Sequence, residues 1–328
     1  MKIFFFELEA WEKEYMEQQF EIQSRGAQRL DLEPIFIDGP LDETKLPADN
    51  SADIISVFVD SIIGESVLAH FPNLKMIATR STGYDHVDIS ACQAHGVAVA
   101  NVPSYGEDTV AEYTFALLLN LSRKVAESND RIKETGSFSL IGLRGFDLKG
   151  KTLGVVGTGK IGKNVIEIAT GFNMNIIAFD KFPDEAYATK MNYKYLPFEE
   201  VLAQADVVTL HVPYVPENHH LINTDTLTKM KKGAYLINTA RGAIVDTEAL
   251  LKSLKDGHLA GAGLDVLEEE GVVKDELNFL TSAHPGEHNL KTVLENHLLI
   301  DMPNVIITPH NAFNTWEALQ RILNTTVE

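Results

Sequence analysis

Four short stretches with polar side chains lie at or beyond the ends of predicted strands in the later part of the chain. They are residues 211–213 (HVP), 238–242 (NTARG), 264–270 (LDVLEEE) and 308–313 (TPHNAF). In open α/β sheets, ligands bind beyond the carboxyl ends of the strands. The sequence therefore predicts that an arginine, an acid and a histidine reach one ligand-binding edge.

A glycine-rich turn at residues 157–162 (GTGKIG) lies between an apolar strand-like run, 153–156, and a helix-like segment, 161–169. A second apolar run, 176–179, ends on Asp180. Strand, glycine turn, helix, strand and acid follow one another with roughly 20 residues from turn to acid, which is typical of a dinucleotide-binding unit.

The position of each glycine in this turn has a physical explanation. Gly157 permits the tight turn, Gly159 lets a pyrophosphate approach the backbone, and Gly162 lets helix and strand pack closely. The positive end of the helix dipole would face the phosphates. Asp180 would accept hydrogen bonds from ribose hydroxyls and repel a 2′-phosphate, so we expect NAD rather than NADP. Beside a nicotinamide, the arginine, acid and histidine of the strand ends would form a hydride-transfer site.

Composition narrows the choice of function. The chain has 328 residues and is 45% hydrophobic, enough for two domains with sizeable cores. Its net charge of −19 argues against nucleic acid or an anionic membrane as a partner. The single cysteine, Cys92, rules out an internal disulfide, which suits a reducing cytoplasm, and we expect a buried or inert thiol. No apolar stretch is long enough to span a bilayer.

Strand and helix patterns alternate along the chain, which predicts an α/β protein with parallel sheets. The early strand-like runs are 3–8, 34–37, 53–59, 75–78 and 97–100, and the early helix-like runs are 11–30, 66–70 and 87–95. Asp108 is predicted to cap a long apolar helix, 110–125. The later strands are 206–211, 234–238, 261–266 and 305–308, and the later helices are 198–204, 225–231, 246–255, 290–297 and 316–324. Residues 271–302 are interpreted as irregular apart from their one helix.

The chain resembles the D-isomer-specific 2-hydroxyacid dehydrogenases, most closely their D-lactate dehydrogenase branch. The resemblance covers nearly the whole chain. It rests on residues 80–88 (RSTGYDHVD), 157–180, 238–242, 265–270 and 309–313. Several motifs in the family's order are far more specific than the glycine turn alone.

The resemblance implies an α/β fold of two domains. Residues 102–312 would form a Rossmann-type NAD-binding domain with a doubly wound parallel sheet. Residues 1–101 and 313–328 would form a flavodoxin-like, discontinuous substrate domain, to which the terminal helix returns. Closure of the cleft would bring residues 80–83 against Arg241 and exclude water.

The resemblance implies that three residues take part in the reaction. Arg241 would hold the substrate carboxylate and polarise the keto oxygen, which suits the planar fork of a guanidinium. His310 would give a proton to the keto oxygen, and remove it in the reverse direction. Glu270, the fifth residue after Asp265, matches the glutamate that orients this histidine, and the alternative for the run 268–270 is a solvated turn.

The resemblance also implies the residues that bind cofactor and substrate. The cofactor would contact Gly157, Thr158, Gly159, Lys160, Ile161, Gly162, Asp180, His211, Val212, Pro213, Thr239, Ala240 and Asp265, the last on the nicotinamide side. The substrate would contact Arg80, Ser81, Thr82, Gly83, Tyr105 and Phe313. Tyr105 and Phe313 could instead be ordinary core residues.

The predicted activity is NADH-dependent reduction of a 2-keto acid to a D-2-hydroxy acid, with pyruvate to D-lactate the leading case. A bulkier or phosphorylated keto acid, glyoxylate or hydroxypyruvate remains an alternative within the family. An NAD-sensing corepressor with the same fold is the alternative outside enzymes. We expect a cytoplasmic homodimer with a small-molecule substrate.

Two groups of histidines invite a metal interpretation, His219 with His220 and His284 with His288. Neither has a nearby cysteine or paired carboxylates at a diagnostic spacing. We therefore interpret them as surface histidines and expect no metal.

Overall fold

The computed structural model of the protein describes residues 1–24, 32–271 and 290–328. The chain forms two compact units. The first unit comprises Met1–Tyr105 and Asn314–Glu328, and the second comprises Gly106–Phe313. Tyr105 thus lies in the first unit and Phe313 in the second, each across the boundary from its position in the sequence-based division.

The first unit contains a five-stranded parallel sheet in the order β2-β1-β3-β4-β5. Its strands are β1 (Lys2–Phe5), β2 (Glu33–Phe36), β3 (Ile54–Val57), β4 (Met76–Thr79) and β5 (Ala98–Asn101). This is the strand order of flavodoxin-like folds, so the expected fold class is confirmed. Successive residues of β1 face opposite sides, and Phe4 and Phe5 belong to different core clusters.

The helices of the first unit are α1 (Ala10–Ser24), α2 (Glu65–His70), α3 (Ile89–Ala94) and, at the chain terminus, α12 (Trp316–Val327). Trp11 of α1 packs edge-on against Trp316 of α12, with ring centroids 4.7 Å apart. Tyr15 also donates a hydrogen bond to Asn324 across the same pair of helices. These contacts attach the terminal helix to the first unit. Cys92 is buried inside α3, as expected of a structural thiol.

The second unit contains a seven-stranded parallel sheet in the order β12-β11-β10-β9-β6-β7-β8. Its strands are β6 (Thr152–Val156), β7 (Asn175–Phe179), β8 (Lys194–Tyr195), β9 (Val207–Leu210), β10 (Tyr235–Asn238), β11 (Gly261–Leu264) and β12 (Val305–Ile307). The chain winds outward from β6 in both directions, so the topological switch point lies between β6 and β9. The Rossmann rule places a ligand beyond the carboxyl ends of these two strands.

Helices cover both faces of this sheet. They are α4 (Glu107–Arg123), α5 (Val125–Thr135), α6 (Lys160–Gly171), α7 (Glu185–Met191), α8 (Phe198–Gln204), α9 (Thr224–Lys229), α10 (Thr247–Lys255) and α11 (Leu290–Ile300). Val207 and Val208, neighbours on β9, belong to opposite core clusters. The central strands are therefore buried on both faces, as the continuous apolar runs predict.

The predicted helix at 110–125 is corrected at both ends. Helix α4 starts at Glu107 after Gly106, and Asp108 lies inside its first turn, where it accepts a hydrogen bond from Asn164. An acid in the first turn suits the positive end of the helix dipole. Lys124 has a left-handed conformation (φ 51°), which ends α4 and starts α5 in a new direction. Helices α5 and α7 and strand β8 are absent from the sequence-based elements.

Candidate active site

A histidine and a glutamate form the centre of the site in the second unit. His310 Nδ1 lies 2.8 Å from Glu270 Oε1, and about 30% of each side chain is exposed (29% and 32%). A carboxylate only accepts, so with ionised Glu270 the Nδ1–H donates and Nε2 is the nitrogen that can exchange a proton. The pair can therefore act as an oriented acid and base.

Buried Asp265 shapes the loop that carries His310. Its Oδ1 accepts hydrogen bonds from Thr308 Oγ1 (2.5 Å) and the Asn311 amide (2.8 Å), and its Oδ2 accepts one from the Ala312 amide (2.8 Å). Its backbone carbonyl accepts from the His310 amide, at 2.8 Å. His310 itself has a left-handed conformation (φ 52°), which these bonds hold in place. The structure thus gives Asp265 a positioning role, while its contact with a cofactor stays a prediction.

Arg241 lies on a tight turn after β10. Asn238 Oδ1 accepts a hydrogen bond from the Ala240 amide (3.0 Å), and Asn238 Nδ2 donates to the Arg241 carbonyl (2.9 Å). A Cβ on Gly242 would lie 2.1 Å from the carbonyl carbon and oxygen of Leu267. Only glycine allows this close approach, which packs the arginine turn against the turn that carries Glu270.

The glycine turn after β6 fits a pyrophosphate. Gly157 has φ 94°, and a Cβ there would lie 2.7 Å from the backbone of His211. A Cβ on Gly162 would lie 2.1 Å from the Gly157 carbonyl oxygen, so helix α6 meets the strand closely. A Cβ on Gly159 would meet no atom within 4 Å. There is thus open space over the amino end of α6, where helix amides favour an anion.

Asp180 follows β7 and is held by neighbouring donors. Its Oδ2 accepts from the Thr158 amide (2.6 Å) and Thr158 Oγ1 (3.0 Å), and its Oδ1 accepts from the Phe182 amide (2.8 Å). Lys160, two residues after Thr158, forms an ion pair with Glu107 at 3.1 Å. The carboxylate is therefore fixed beside the glycine turn, as the strand order predicts.

The remaining predicted cofactor residues lie at the ends of β9 and β10. Val212 packs against the core, and Pro213 accepts a hydrogen bond from Asn218. Thr239 is buried, with its hydroxyl 3.1 Å from that of Thr114 on α4. His211 Nε2 lies 2.9 Å from Thr209 Oγ1, while His211 Nδ1 is shielded from solvent and has no partner. Burial lowers the pKa of His211 to about 3, so its ring is neutral at physiological pH.

The predicted substrate loop lies in the first unit, and its contact with a substrate stays a prediction. The Arg80 side chain is 2% exposed, and its guanidinium donates to Ser56 Oγ and to the carbonyls of Phe6 and Glu7. Burial lowers its pKa to about 10. The donors of Arg80 thus hold strands together within its own unit, and we assign the side chain a structural role.

The rest of that loop is ordered by hydrogen bonds to its own backbone. Ser81 Oγ donates to the Gly83 carbonyl at 2.6 Å, and Thr82 Oγ1 donates to the Val102 carbonyl at 2.9 Å. The Tyr105 carbonyl accepts from Arg321 of α12. In the second unit, the Phe313 ring lies edge-on to His310, with centroids 6.5 Å apart.

A known family model matches most of the second unit. The model describes the NAD-binding domain of D-isomer specific 2-hydroxyacid dehydrogenases, and it matches residues 115–312. The chain belongs to the D-isomer-specific 2-hydroxyacid dehydrogenases. It is accordingly an NAD-dependent oxidoreductase that interconverts 2-keto acids and D-2-hydroxy acids.

Individual members of the family are similar over most of the chain. D-lactate dehydrogenase of Escherichia coli is 34% identical over 333 residues, covering 100% of this chain and 95% of that enzyme. An aromatic 2-oxoacid reductase of Clostridium sporogenes is 40% identical over 257 residues, covering 77% and 74%. The crystal structure of Aquifex aeolicus D-lactate dehydrogenase, complexed with NAD and lactic acid, matches with a TM-score of 0.83 and 35% identity, covering 99% and 93%.

The Glu268 carboxylate of this dehydrogenase is bonded within the protein and not only to solvent. It contacts His220 Nε2 (2.7 Å) and accepts from the amide and hydroxyl of Thr247 (2.9 and 2.6 Å). The Glu268 backbone carbonyl accepts from Asn296, which is fully buried on α11. Glu268 thus fixes the turn that presents Glu270. A run of three glutamates carries no signal for such a role.

The histidine groups of this dehydrogenase give no metal site within the described ranges. No group of three or more histidine, cysteine, aspartate or glutamate residues there is arranged to hold a metal ion. His219 is exposed and stacks on His220, with centroids 3.9 Å apart. His284 and His288 lie outside the described residues. Across the described ranges, no helix has both the length and the apolar character needed to cross a membrane.

Proposed function

We propose that this enzyme reduces pyruvate to D-lactate, reversibly. The observation that carries the proposal is the bond between His310 Nδ1 and Glu270 Oε1, which orients an acid at the strand edge that also bears Arg241. Full-length similarity to D-lactate dehydrogenases supports the choice of substrate.

In the proposed mechanism, Arg241 pairs through its planar guanidinium with the substrate carboxylate and polarises the keto oxygen. His310 is the acid that donates its proton to the keto oxygen. Glu270 stabilises the imidazolium and keeps the proton of Nδ1 directed toward itself. When bound, NADH supplies the hydride that the keto carbon receives. In the reverse direction, neutral His310 takes the hydroxyl proton back.

For the cofactor, we propose that residues 157–162 hold the pyrophosphate and that Asp180 accepts from the adenosine ribose. Residues 211–213, 239–240 and Asp265 would line the nicotinamide side. The open space at Gly159 supports the first assignment. For the substrate, we propose contacts from the backbone of residues 81–83 and from the Tyr105 and Phe313 side chains.

An aromatic 2-keto acid is the second candidate substrate. The 40% identity to an aromatic 2-oxoacid reductase favours it. One panel decides between the two: NADH oxidation with pyruvate, 2-ketobutyrate, phenylpyruvate, 2-ketoisocaproate, oxaloacetate, glyoxylate and hydroxypyruvate, with chiral analysis of the product. Highest kcat/KM on pyruvate with a D-product supports the proposal. A preference for phenylpyruvate moves the assignment to aromatic acids, and turnover of none of them overturns it.

We propose that the enzyme acts as a homodimer in the cytoplasm. After α5, three large apolar residues are almost fully exposed: Phe138 (82%), Leu140 (82%) and Ile141 (85%). Arg131 Nη1 holds this segment by donating to the carbonyls of Ser139 (2.8 Å) and Ile141 (2.7 Å). An ordered apolar patch of this kind is typical of a surface that a second chain covers.

A further inference from the structure

Asp180 is the end point of a chain of hydroxyl groups. Tyr193 OH donates to Tyr195 OH at 2.9 Å. Tyr195 OH lies 2.7 Å from Thr158 Oγ1, and Thr158 Oγ1 donates to Asp180 Oδ2 at 3.0 Å. Three residues from two other segments of the protein thus form a series of hydrogen bonds that ends on one oxygen of the carboxylate that we assign to the ribose.

The donor and the acceptor of every hydrogen bond in this series follow from the number of hydrogens that each group carries. A hydroxyl carries one hydrogen, and the carboxylate can only accept. Thr158 therefore uses its hydrogen on Asp180, so Tyr195 must donate to Thr158. Tyr195 OH in turn accepts from Tyr193 OH and, at 3.1 Å, from the Asp184 amide. All the dipoles point toward Asp180, the arrangement in which neighbouring hydrogen bonds strengthen one another.

Two members of this hydrogen-bonded chain are shielded from water, while Tyr195 and Asp180 are partly exposed. Thr158 is 4% exposed and Tyr193 is 6% exposed. Burial first, and then the bond to Tyr195, raise the pKa of Tyr193, so its hydroxyl keeps its proton at any working pH. Water therefore competes poorly at Thr158 and Tyr193, and losing the Tyr195 donor leaves the buried Thr158 hydroxyl oxygen without its partner.

The bonds also decide which oxygen of Asp180 remains available. A carboxylate has about four acceptor positions, two on each oxygen. Oδ2 accepts from the Thr158 amide and hydroxyl, whereas Oδ1 accepts from the Phe182 amide. One position on Oδ1 is left for a ribose hydroxyl.

We propose that Tyr195 is a positioning residue for cofactor selectivity. Acting through Thr158, it holds Oδ2 in place, so that Oδ1 meets the ribose hydroxyl and the negative charge stands where a 2′-phosphate would lie. The proposal rests on the ribose role proposed for Asp180. Without the Tyr195 hydroxyl, Thr158 can rotate away and the carboxylate can swing aside, which weakens ribose binding and relaxes the exclusion of the phosphate.

The test is equilibrium binding, which needs no turnover. Calorimetry with ADP-ribose and with 2′-phospho-ADP-ribose gives two Kd values. Their ratio, the Kd for the phosphorylated ligand divided by the Kd for ADP-ribose, measures selectivity. In Tyr195→Phe, we expect the Kd for ADP-ribose to rise roughly 3–10-fold, the effect of one hydrogen bond, with little change for the phosphorylated ligand. The matched control is Tyr187→Phe. The Tyr187 ring lies beside that of Tyr193, but its hydroxyl bonds Glu167 and the Lys163 carbonyl and takes no part in the series of bonds to Asp180.

A double-mutant cycle tests the route through Thr158. If Tyr195 acts through that hydroxyl, Tyr195→Phe changes neither Kd further in a Thr158→Ala background. A wild-type ratio in Tyr195→Phe, equal weakening of both ligands, or additive effects in the cycle would each overturn the proposal. If Tyr195→Phe does not fold, Tyr193→Phe removes the next donor and must lower the ratio in the same direction.

Asp180→Asn tests separately the proposal on which this one rests, that Asp180 binds the ribose. An unchanged ratio there would remove the ribose role of Asp180 itself. A changed ratio in Asp180→Asn with a wild-type ratio in Tyr195→Phe would remove only the positioning role of Tyr195.

Discussion

At the scale of single residues, the proposed chemistry depends on three side chains that their local surroundings orient. Asn238 fixes the Arg241 turn, Asp265 fixes the His310 loop, and Glu268 fixes the turn of Glu270. Each of these side chains thus has a polar neighbour that bonds backbone groups; Asn238 and Asp265 are buried, and Glu268 is partly exposed. The reacting groups can remain partly exposed because their loops, rather than their own packing, hold them.

Arg241→Gln should lower kcat/KM for the keto acid at least about 100-fold, because a neutral amide cannot form the two charge-assisted bonds that a guanidinium gives a carboxylate. The Kd of NADH, measured by fluorescence quenching, should stay within about twofold. The exposed Arg123→Gln is the matched control. Wild-type kcat/KM in Arg241→Gln would eliminate the carboxylate role.

His310→Ala should lower kcat for keto-acid reduction by roughly 10²–10⁴, the usual contribution of a general acid. Glu270→Gln should give a smaller loss, because the ring remains but its partner no longer stabilises the imidazolium. Stopped-flow turnover checks both, with circular dichroism as the control for folding. Equal rates in wild type and His310→Ala would exclude the histidine from the mechanism.

At the scale of elements, glycine contacts set the distance between turns. The turn after β10 can lie against residues 267–268 only because Gly242 has no side chain. The same applies to Gly162, where α6 meets the end of β6. These contacts join backbone to backbone, so a neighbouring side chain cannot rotate to make room.

Gly242→Ala should therefore reduce both stability and activity. The added methyl would overlap the Leu267 backbone, and we expect a loss of roughly 1–3 kcal/mol in the free energy of unfolding. We also expect more than a tenfold drop in kcat/KM, with NADH binding retained, since Arg241 moves relative to Glu270. Gly171→Ala is the control, because a Cβ there meets no atom within 4 Å. Equal melting temperatures and rates in the two variants would contradict the packing argument.

His211, at the end of β9, should make the protein sensitive to acid. Its folded-state pKa is lowered to about 3, while the unfolded chain binds the proton near pH 6.5. Between these values the unfolded state holds more protons, so stability is full above pH 6.5 and is lost as the pH falls toward 3.

The free energy of unfolding, measured with urea, should fall between pH 6 and pH 4 in the wild type. In His211→Asn we expect this fall to be smaller by roughly 2–3 kcal/mol. His219→Asn, at an exposed position, should leave that loss unchanged. A pH profile identical to wild type in His211→Asn would show that the buried ring does not contribute.

At the scale of the whole molecule, the proposed homodimer depends on the segment after α5. Phe138→Asp should shift the mass measured by light scattering from that of a dimer toward that of a monomer, because a charge would be buried in the apolar contact. Phe182→Asp, at another exposed aromatic, should leave the mass unchanged. A monomeric wild type, or an unchanged dimer in Phe138→Asp, would contradict the proposal.

The sequence by itself determined the two parallel sheets, the glycine turn between β6 and α6 and the strand edge at which Arg241, Glu270 and His310 lie. Period-2 and period-3.6 patterns and glycine spacing are local properties. They can be recognised in the sequence because each depends only on residues within one strand, helix or turn. The left-handed Lys124 that ends α4 was missed, because it is a single non-glycine residue with no pattern around it.

Only the tertiary structure decided what the polar side chains bond. Arg80 resembled a substrate contact, yet its guanidinium bonds Phe6 and Glu7, which lie more than 70 residues away in sequence. Glu268 stands in a run of glutamates that a solvated turn could explain, yet its carboxylate bonds Thr247, and Tyr195 reaches Asp180 only through Thr158. A carboxylate or guanidinium has the same donors and acceptors wherever it stands. Its role is therefore fixed by the partners that folding brings within 3 Å.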